Sequence, residues 1–173
     1  SVVIGTNTGF NIDSIVVTHN NCFGDSLGTI IIYADQAAQY SIDNGTTFFN
    51  DSDFINLPAG IYSIVAMDAG NCSDVETATI TSPTALFTDT TVTNAACGAN
   101  GSAIILTSGG TPPYTYEWSD GSTSASISNL IPGTYEVTST DHNGCTTTNQ
   151  AVVGYIPSQG NATVSNTHSA SCY

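Results

Sequence analysis

Not one lysine or arginine occurs in this chain, while aspartate and glutamate together number 14 and leave a formal charge of −14. That absence excludes whole classes of function. Nucleic-acid binding works by neutralising phosphates with cationic side chains, and none exist here. A polybasic hold on anionic lipid fails for the same reason. A Lys–Asn isopeptide crosslink cannot form without lysine. Apolar runs are short too, none nearing the roughly 20 residues of a membrane-spanning helix. Good helix formers are scarce, and the sequence opens on Ser1 with neither an initiator methionine nor a signal peptide. This reads as a processed or excised chain.

What is present favours strands and turns. Hydrophobic residues make up 40% of the 173, enough for packed cores and against wholesale disorder. Thr, Ser, Asn, Gly, Val and Ile dominate, the composition of β-structure. Residues 109–145 show the plan most clearly. Tyr114, Tyr116 and Trp118 alternate with Thr115 and Glu117, so one strand carries its aromatics on a single face. Asp120-Gly121 supplies a turn. Ser126-Ile127-Ser128-Asn129-Leu130 returns with the same period of two. After Pro132-Gly133, Tyr135 and Val137 alternate with Glu136 and Thr138. The pattern predicts a small antiparallel sandwich.

The pattern occurs twice. Asn56-Leu57-Pro58-Ala59-Gly60-Ile61-Tyr62 and Asn129-Leu130-Ile131-Pro132-Gly133-Thr134-Tyr135 share N-L-x-x-G-x-Y. In each, an Asp follows the Tyr by six residues and a Cys by ten (Asp68 and Cys72, Asp141 and Cys145). Cys22, Cys97 and Cys172 are spaced 75 residues apart. That period suits a small β-domain and is too long for a solenoid repeat. The expected organisation is an all-β tandem array: residues 1–10 as the closing strand of a preceding repeat, 11–84 as repeat 1, 85–158 as repeat 2, and 159–173 as the start of a third. Within repeat 1 the strands are expected at residues 15–18, 28–33, 39–43, 46–57, 61–68 and 75–81. Asp43-Asn44-Gly45-Thr46 is expected as a hairpin turn, with a bulge or small loop near residues 50–53.

Cysteine placement then follows from strand parity. If the six strands of a repeat alternate up and down, its first and fifth turns share a pole. Of the three connectivities open to Cys22, Cys72, Cys97 and Cys145, this favours Cys22–Cys72 and Cys97–Cys145. Each bridge would close a loop of some 50 residues, worth roughly 4 kcal/mol in the chain-entropy model. Disulfides place the protein outside a reducing cytosol. Cys172 is expected to lack a partner within the chain, as a window on a longer array implies; donation of strands between subunits is the other explanation.

The motif string G-G-x-P-P-Y-x-Y-x-W-S-x-G, N-L-x-x-G-x-Y, D-x-N-G-C over residues 109–145 resembles the SprB-type repeat of Bacteroidota surface adhesins, long secreted proteins of gliding bacteria. Repeat 1 departs from it where Ala37-Ala38-Gln39-Tyr40 replaces the Gly-Gly-Pro-Pro segment and Ile42 stands for Trp118. The resemblance implies tandem immunoglobulin-like sandwiches and a place on an extracellular cell-surface filament. Partners would be neighbouring repeats of the same chain or filament, with surface polysaccharide as a further candidate. It brings no catalytic residue with it.

Residue by residue, the candidate chemistry points the same way. His19, His142 and His168 accompany no G-x-S-x-G or paired-histidine motif. His142 falls in the turn Asp141-His142-Asn143-Gly144, and no cationic neighbour activates Cys97 or Cys145. Trp118 could stack a sugar but reads as a core tryptophan near the disulfide, as in immunoglobulin domains. Tyr62 and Tyr135 read as tyrosine corners, and Asp68 and Asp141 as acceptors for hairpin amides. Asp43-Asn44-Gly45 and Asp51-Ser52-Asp53 offer calcium oxygens without the spacing of an EF-hand, and turn chemistry explains both. No enzyme, cofactor or metal site is expected.

Two functions remain: a structural and adhesive repeat holding a distal region away from the cell, or a carbohydrate- or matrix-binding module. Ser14, Ser26 and Thr90 lie in D-[ST]-x triplets of the kind Bacteroidota O-glycosylate, and are candidate modification sites. The five N-x-[ST] triplets are expected to stay bare.

Overall fold

The computed structural model describes residues 9–96, 98 and 100–157. The expected closing strand before repeat 1, the start of a third repeat, Cys97, His168 and Cys172 lie outside those residues, apart from the short stretch at residues 9 and 10. The chain divides into two compact units after Pro83.

Unit 1 holds β1 (Ser14–Thr18), β2 (Gly28–Tyr33), β3 (Ala37–Ser41), β4 (Asp53–Leu57), β5 (Gly60–Asp68) and β6 (Ser73–Ile80). Two three-stranded antiparallel sheets result, ordered β1-β2-β4 and β3-β5-β6. Unit 2 repeats this with β7 (Phe87–Thr93), β8 (Gly101–Ser108), β9 (Thr115–Trp118), β10 (Ser126–Leu130), β11 (Gly133–Thr140) and β12 (Thr146–Val153). Its sheets run β7-β8-β10 and β9-β11-β12. Among the described residues all regular elements are strands. Each unit is an immunoglobulin-like β-sandwich with its core between two sheets.

Alternation sets the core. Ile30 and Ile32 of β2, Ile64 of β5 and Ala78 and Ile80 of β6 are buried together, joined by half-buried Ile15, Phe54 and Leu57. In unit 2, Ala103, Ile105, Trp118, Ile127, Leu130, Val137, Ala151 and Val153 take these roles. Trp118 is 2% exposed, and its indole N–H donates to the Ser124 carbonyl at 3.0 Å, so the ring packs without an orphaned donor. It belongs to the core, as expected, but no described cysteine shares that cluster.

The motif N-L-x-x-G-x-Y has a backbone cause. Asn56 and Asn129 both adopt φ of 59°. Asn129 is the extra residue in β10 where the pairing of Ser128 with Ser102 steps to Leu130 with Gly101. The β2–β4 pairing shifts likewise, between Gly28 opposite Leu57 and Ile30 opposite Phe54. Asparagine tolerates the left-handed conformation that such a bulge demands. The Tyr that ends the motif then pins the corner: Tyr62 Oη donates to the Pro58 carbonyl at 2.8 Å and Tyr135 Oη to the Ile131 carbonyl at 3.1 Å.

Strand direction departs from expectation, and this decides where the cysteines lie. Before β1, the Ile12 amide donates to Asp74 at the start of β6; after β1, the Asn20 amide donates to the Thr81 carbonyl just past its end. So β1 and β6 run the same way. Antiparallel pairing then gives β3 and β4 that direction and β2 and β5 the opposite one. Strict alternation fails between β3 and β4, because residues 46–57 do not form one return strand. A short segment pairs with β3 through Tyr40 and Phe49, and the chain then crosses to the other sheet and reverses before β4. Cys22 therefore sits at the pole where β6 ends, and Cys72 at the pole where β6 begins.

Candidate functional site

The residues singled out by sequence gather at the two poles of each sandwich, mostly as structural fastenings. At the leading pole of unit 1, Asp68 at the end of β5 accepts the Gly70 and Cys72 amides, both at 2.8 Å. Asp141 does the same in unit 2 for Asn143 and Cys145 at 2.9 Å, and its second oxygen takes the Thr111 amide at 2.8 Å. Asp141 is 5% exposed. Burial pushes its carboxyl up, but the amides of Thr111, Cys145, Asn143 and Gly144 outweigh this and hold it below the usual carboxylate range. A carboxylate so saturated caps a turn and is poorly placed for acid–base chemistry.

Of the two candidate calcium sequences, Asp43-Asn44-Gly45 forms a turn and Asp51-Ser52-Asp53 leads into β4. Asn44 and Gly45 adopt φ of 61° and 76°, the two left-handed residues of a tight reversal. Asp43 accepts hydrogen bonds from Thr47 Oγ1 at 2.6 Å, the Thr47 and Thr46 amides, and Ser41 Oγ at 2.7 Å. These bonds, led by the Thr47 hydroxyl, lower its pKa to about 2. Asp53 accepts Ser52 Oγ at 3.0 Å. Among the described residues no three His, Cys, Asp or Glu side chains group as metal ligands would.

The histidines are scattered. His142 is exposed in its turn, with its amide on the Thr111 carbonyl at 2.8 Å. His19 Nδ1 accepts the Thr81 amide at 3.1 Å and ties the first loop to the end of β6. Asn94 does the corresponding work in unit 2, accepting the Gly154 amide at 2.8 Å. The candidate glycosylation sites differ in access. Ser14 and Ser26 are exposed, whereas Thr90 lies mid-strand in β7, half-buried, with its hydroxyl donating to the Gln150 carbonyl at 3.2 Å.

The cysteines require a correction. Cys22 and Cys145 are each disulfide-bonded, while Cys72 is free and exposed. The expected Cys22–Cys72 bridge is therefore not formed, because its two ends lie at opposite poles. The Cys97–Cys145 pairing involves a residue outside the described ones. Cys72 borders an open depression of about 410 Å³ that also involves Asp13, Asp35 and Asp68. Sequence reasoning missed this grouping, since its members come from the segment before β1, the β2–β3 turn and the β5–β6 turn.

With that geometry in place, comparison with known families is informative. Residues 90–123 match the SprB repeat. The match runs from the middle of β7 through β8 and β9 into the following turn. The chain thus carries a SprB-type repeat in its second unit, and the topology shows unit 1 to be a second copy of the same sandwich. No curated protein matches. Among solved structures, a C-terminal 282-residue fragment of intimin, in complex with the intimin-binding domain of the translocated intimin receptor, is 13% identical over 83% of this chain and 64% of that one, at a TM-score of 0.47. Dscam1 isoforms 9.44 and 6.44, each as its N-terminal four Ig domains, are 12% identical over 84% and 85% of this chain and 42% of theirs, at TM-scores of 0.35 and 0.31. The chain spans less than two-thirds of each fragment. A SprB-type repeat is an adhesin-type repeat domain, and that coarse description fits what the poles and cores of both units contain.

Proposed function

We propose that this chain is a structural and adhesive repeat segment of a surface adhesin, in which each sandwich serves as a spacer carrying a distal region away from the cell. One observation carries the reading. In unit 1 the chain enters at the pole of Ile12 and leaves at the pole of Thr81, so the repeat converts its residues into length. Six residues then suffice to reach β7. Polar groups at the poles are consumed by caps and corners, as a load-carrying domain requires. Disulfides at Cys22 and Cys145 support an extracellular, cell-surface setting. Neighbouring repeats are the partners of first resort.

A second reading, contact with polysaccharide, is favoured by one face of unit 2. Cross-strand register puts Thr115 beside Thr140, and Thr140 beside Thr146, with Glu117, Thr138 and Thr148 in the adjacent row. The result is a hydroxyl-rich outer surface on sheet β9-β11-β12. Binding of the two-unit chain to surface polysaccharides and abiotic surfaces separates the readings. A spacer shows no saturable binding. Saturable binding competed by free sugar, and lost on charging that face with Thr138→Lys, would transfer the adhesive contact to the repeat itself.

A further inference from the structure

The two sandwiches cover one strand edge to different extents. In unit 1 the β2–β4 pairing reaches Ile31 opposite Asp53, and the Ile32 amide donates to the Ser52 carbonyl at 3.1 Å. In unit 2, β10 begins at Ser126 opposite Ile104, and the Ile105 amide takes the Ala125 carbonyl at 2.9 Å. The 75-residue period sets Thr107 where unit 1 has Ile32. Alternate amides of a strand point the same way, so the Thr107 amide faces the β10 side, as Ile105 does. No β10 residue remains there, and among the described residues the Thr107 amide has no acceptor.

Trp118 is the cause. The residues that would extend β10 are committed to it: the Ser122 carbonyl accepts the Trp118 amide at 2.9 Å and the Ser124 carbonyl accepts its indole N–H at 3.0 Å. Unit 1 has Ile42 in that place, and three residues more between Ile42 and Asn56 than lie between Trp118 and Asn129, enough to complete the edge. A second observation marks the same edge. The Thr107 hydroxyl is shut off from solvent without a hydrogen-bond partner among the described residues, as is that of Thr88, its neighbour across β7. Buried hydroxyls are ordinarily paired. An open depression of about 510 Å³ borders the edge and involves Phe87, Asp89, Leu106, Thr107, Ser108 and Tyr116. Phe87 and Leu106 are exposed there.

We propose that the free edge of β8 at residues 106–108 docks an extended strand of another protein, added antiparallel to β8 as residues 52 and 53 are added to β2 in unit 1. The main chain of that strand accepts from the Thr107 amide. Its side chains alternate, with small hydroxyls inward beside Thr107 and apolar groups outward beside Leu106. Charge fixes a further property. With 14 acidic residues, no lysine or arginine, and Asp89 on the rim, the chain repels a second copy of itself and attracts a strand that carries lysine or arginine.

The probe is the end-capped peptide KTVTVTVK, titrated into the full 173-residue chain and read by amide hydrogen exchange. In the free chain the Thr107 amide should exchange faster than that of Ile32. Saturating peptide should slow Thr107 by about tenfold and leave Ile32, already bonded to Ser52, unchanged. Anisotropy of the labelled peptide gives its affinity. Thr107→Pro removes the donor at an edge position that tolerates proline, and should weaken binding by about tenfold. Leu106→Lys changes only an exposed side chain and should weaken binding too, with Trp118 emission showing unit 2 still folded. The acidic peptide ETVTVTVE should not bind. Thr107 protected as well as Ile32 in the dilute free chain would show the edge already filled and overturn the proposal. Protection that grows with chain concentration alone would assign the edge to a second copy and overturn the assignment of partner. Equal binding of the two peptides, or undiminished binding to Leu106→Lys, would also overturn it.

Discussion

Gly101 opens β8 where three groups converge. A Cβ placed there would lie 2.6 Å from Val153 Cγ1, 3.0 Å from the Leu130 carbonyl oxygen and 3.2 Å from the Thr93 carbonyl oxygen. Two of these are backbone atoms held in strand pairing, and Val153 is buried in the core, so none can yield cheaply. Overpacking of this kind costs about 1–3 kcal/mol. Relief of unfolded-state entropy on replacing glycine returns about 0.4–1 kcal/mol, since Gly101 does not need a positive φ. Gly101→Ala should therefore destabilise unit 2 by roughly 1–2 kcal/mol. Trp118 is the sole tryptophan and is buried in that unit's core, so its emission reports unit 2 alone. With a urea m-value of about 1 kcal/mol/M for a unit this small, the emission midpoint should fall by roughly 1–2 M. Gly133→Ala is the control: its Cβ would meet only ordinary contacts, at 3.8 Å from Tyr135 and 3.9 Å from the Ile131 carbonyl. Its midpoint should hold or rise. A Gly101→Ala midpoint at or above that of the unaltered chain would refute the steric argument for this glycine and, with it, for Gly28 at the start of β2.

Tyr135→Phe removes the corner hydrogen bond and nothing else, and should cost about 0.5–1.5 kcal/mol in the same emission assay. Stability should decline with acid through Asp43: a carboxylate whose folded pKa is about 2, against an ordinary 3.8, favours the folded state above pH 4 and ceases to as pH falls through 2. Melting temperatures of Asp43→Asn against the unaltered chain should therefore converge between pH 4 and 2, and a constant difference across that window would contradict the assignment. Asp141, also lowered, should lose its contribution in the same direction, so that Asp141→Asn flattens the acid limb for unit 2. Intact mass of the natively produced protein should exceed that of the disulfide-bonded polypeptide by glycan increments on Ser14 or Ser26. Thr90 should be modified last, because its hydroxyl is engaged. A bare mass would remove the modification from the account.

Much of the fold was legible because its signals are local. A continuous apolar run marked residues 28–33 as a strand, alternation marked Tyr116 and Trp118, and Asp-Gly and Asn-Gly pairs marked reversals. The spacing of Tyr135 to Asp141 to Cys145, matched by Tyr62 to Asp68 to Cys72, revealed the repeat; the corner tyrosines and hairpin aspartates act as their sequence context suggested. Strand direction was not legible. A period of two records which face of a strand is buried and is silent about which sheet the strand joins or which way it runs. Residues 46–57 read as one return strand with a bulge or small loop near residues 50–53, although the chain changes partners within it, from Tyr40 opposite Phe49 to Ile30 opposite Phe54. That single crossing reverses the parity of every later turn and separates Cys22 from Cys72 by the length of β6. Sequence determined that the cysteines would lie in turns; only the tertiary course of residues 42–57 decided which turns share a pole, because long-range pairing, and no local preference, sets strand direction.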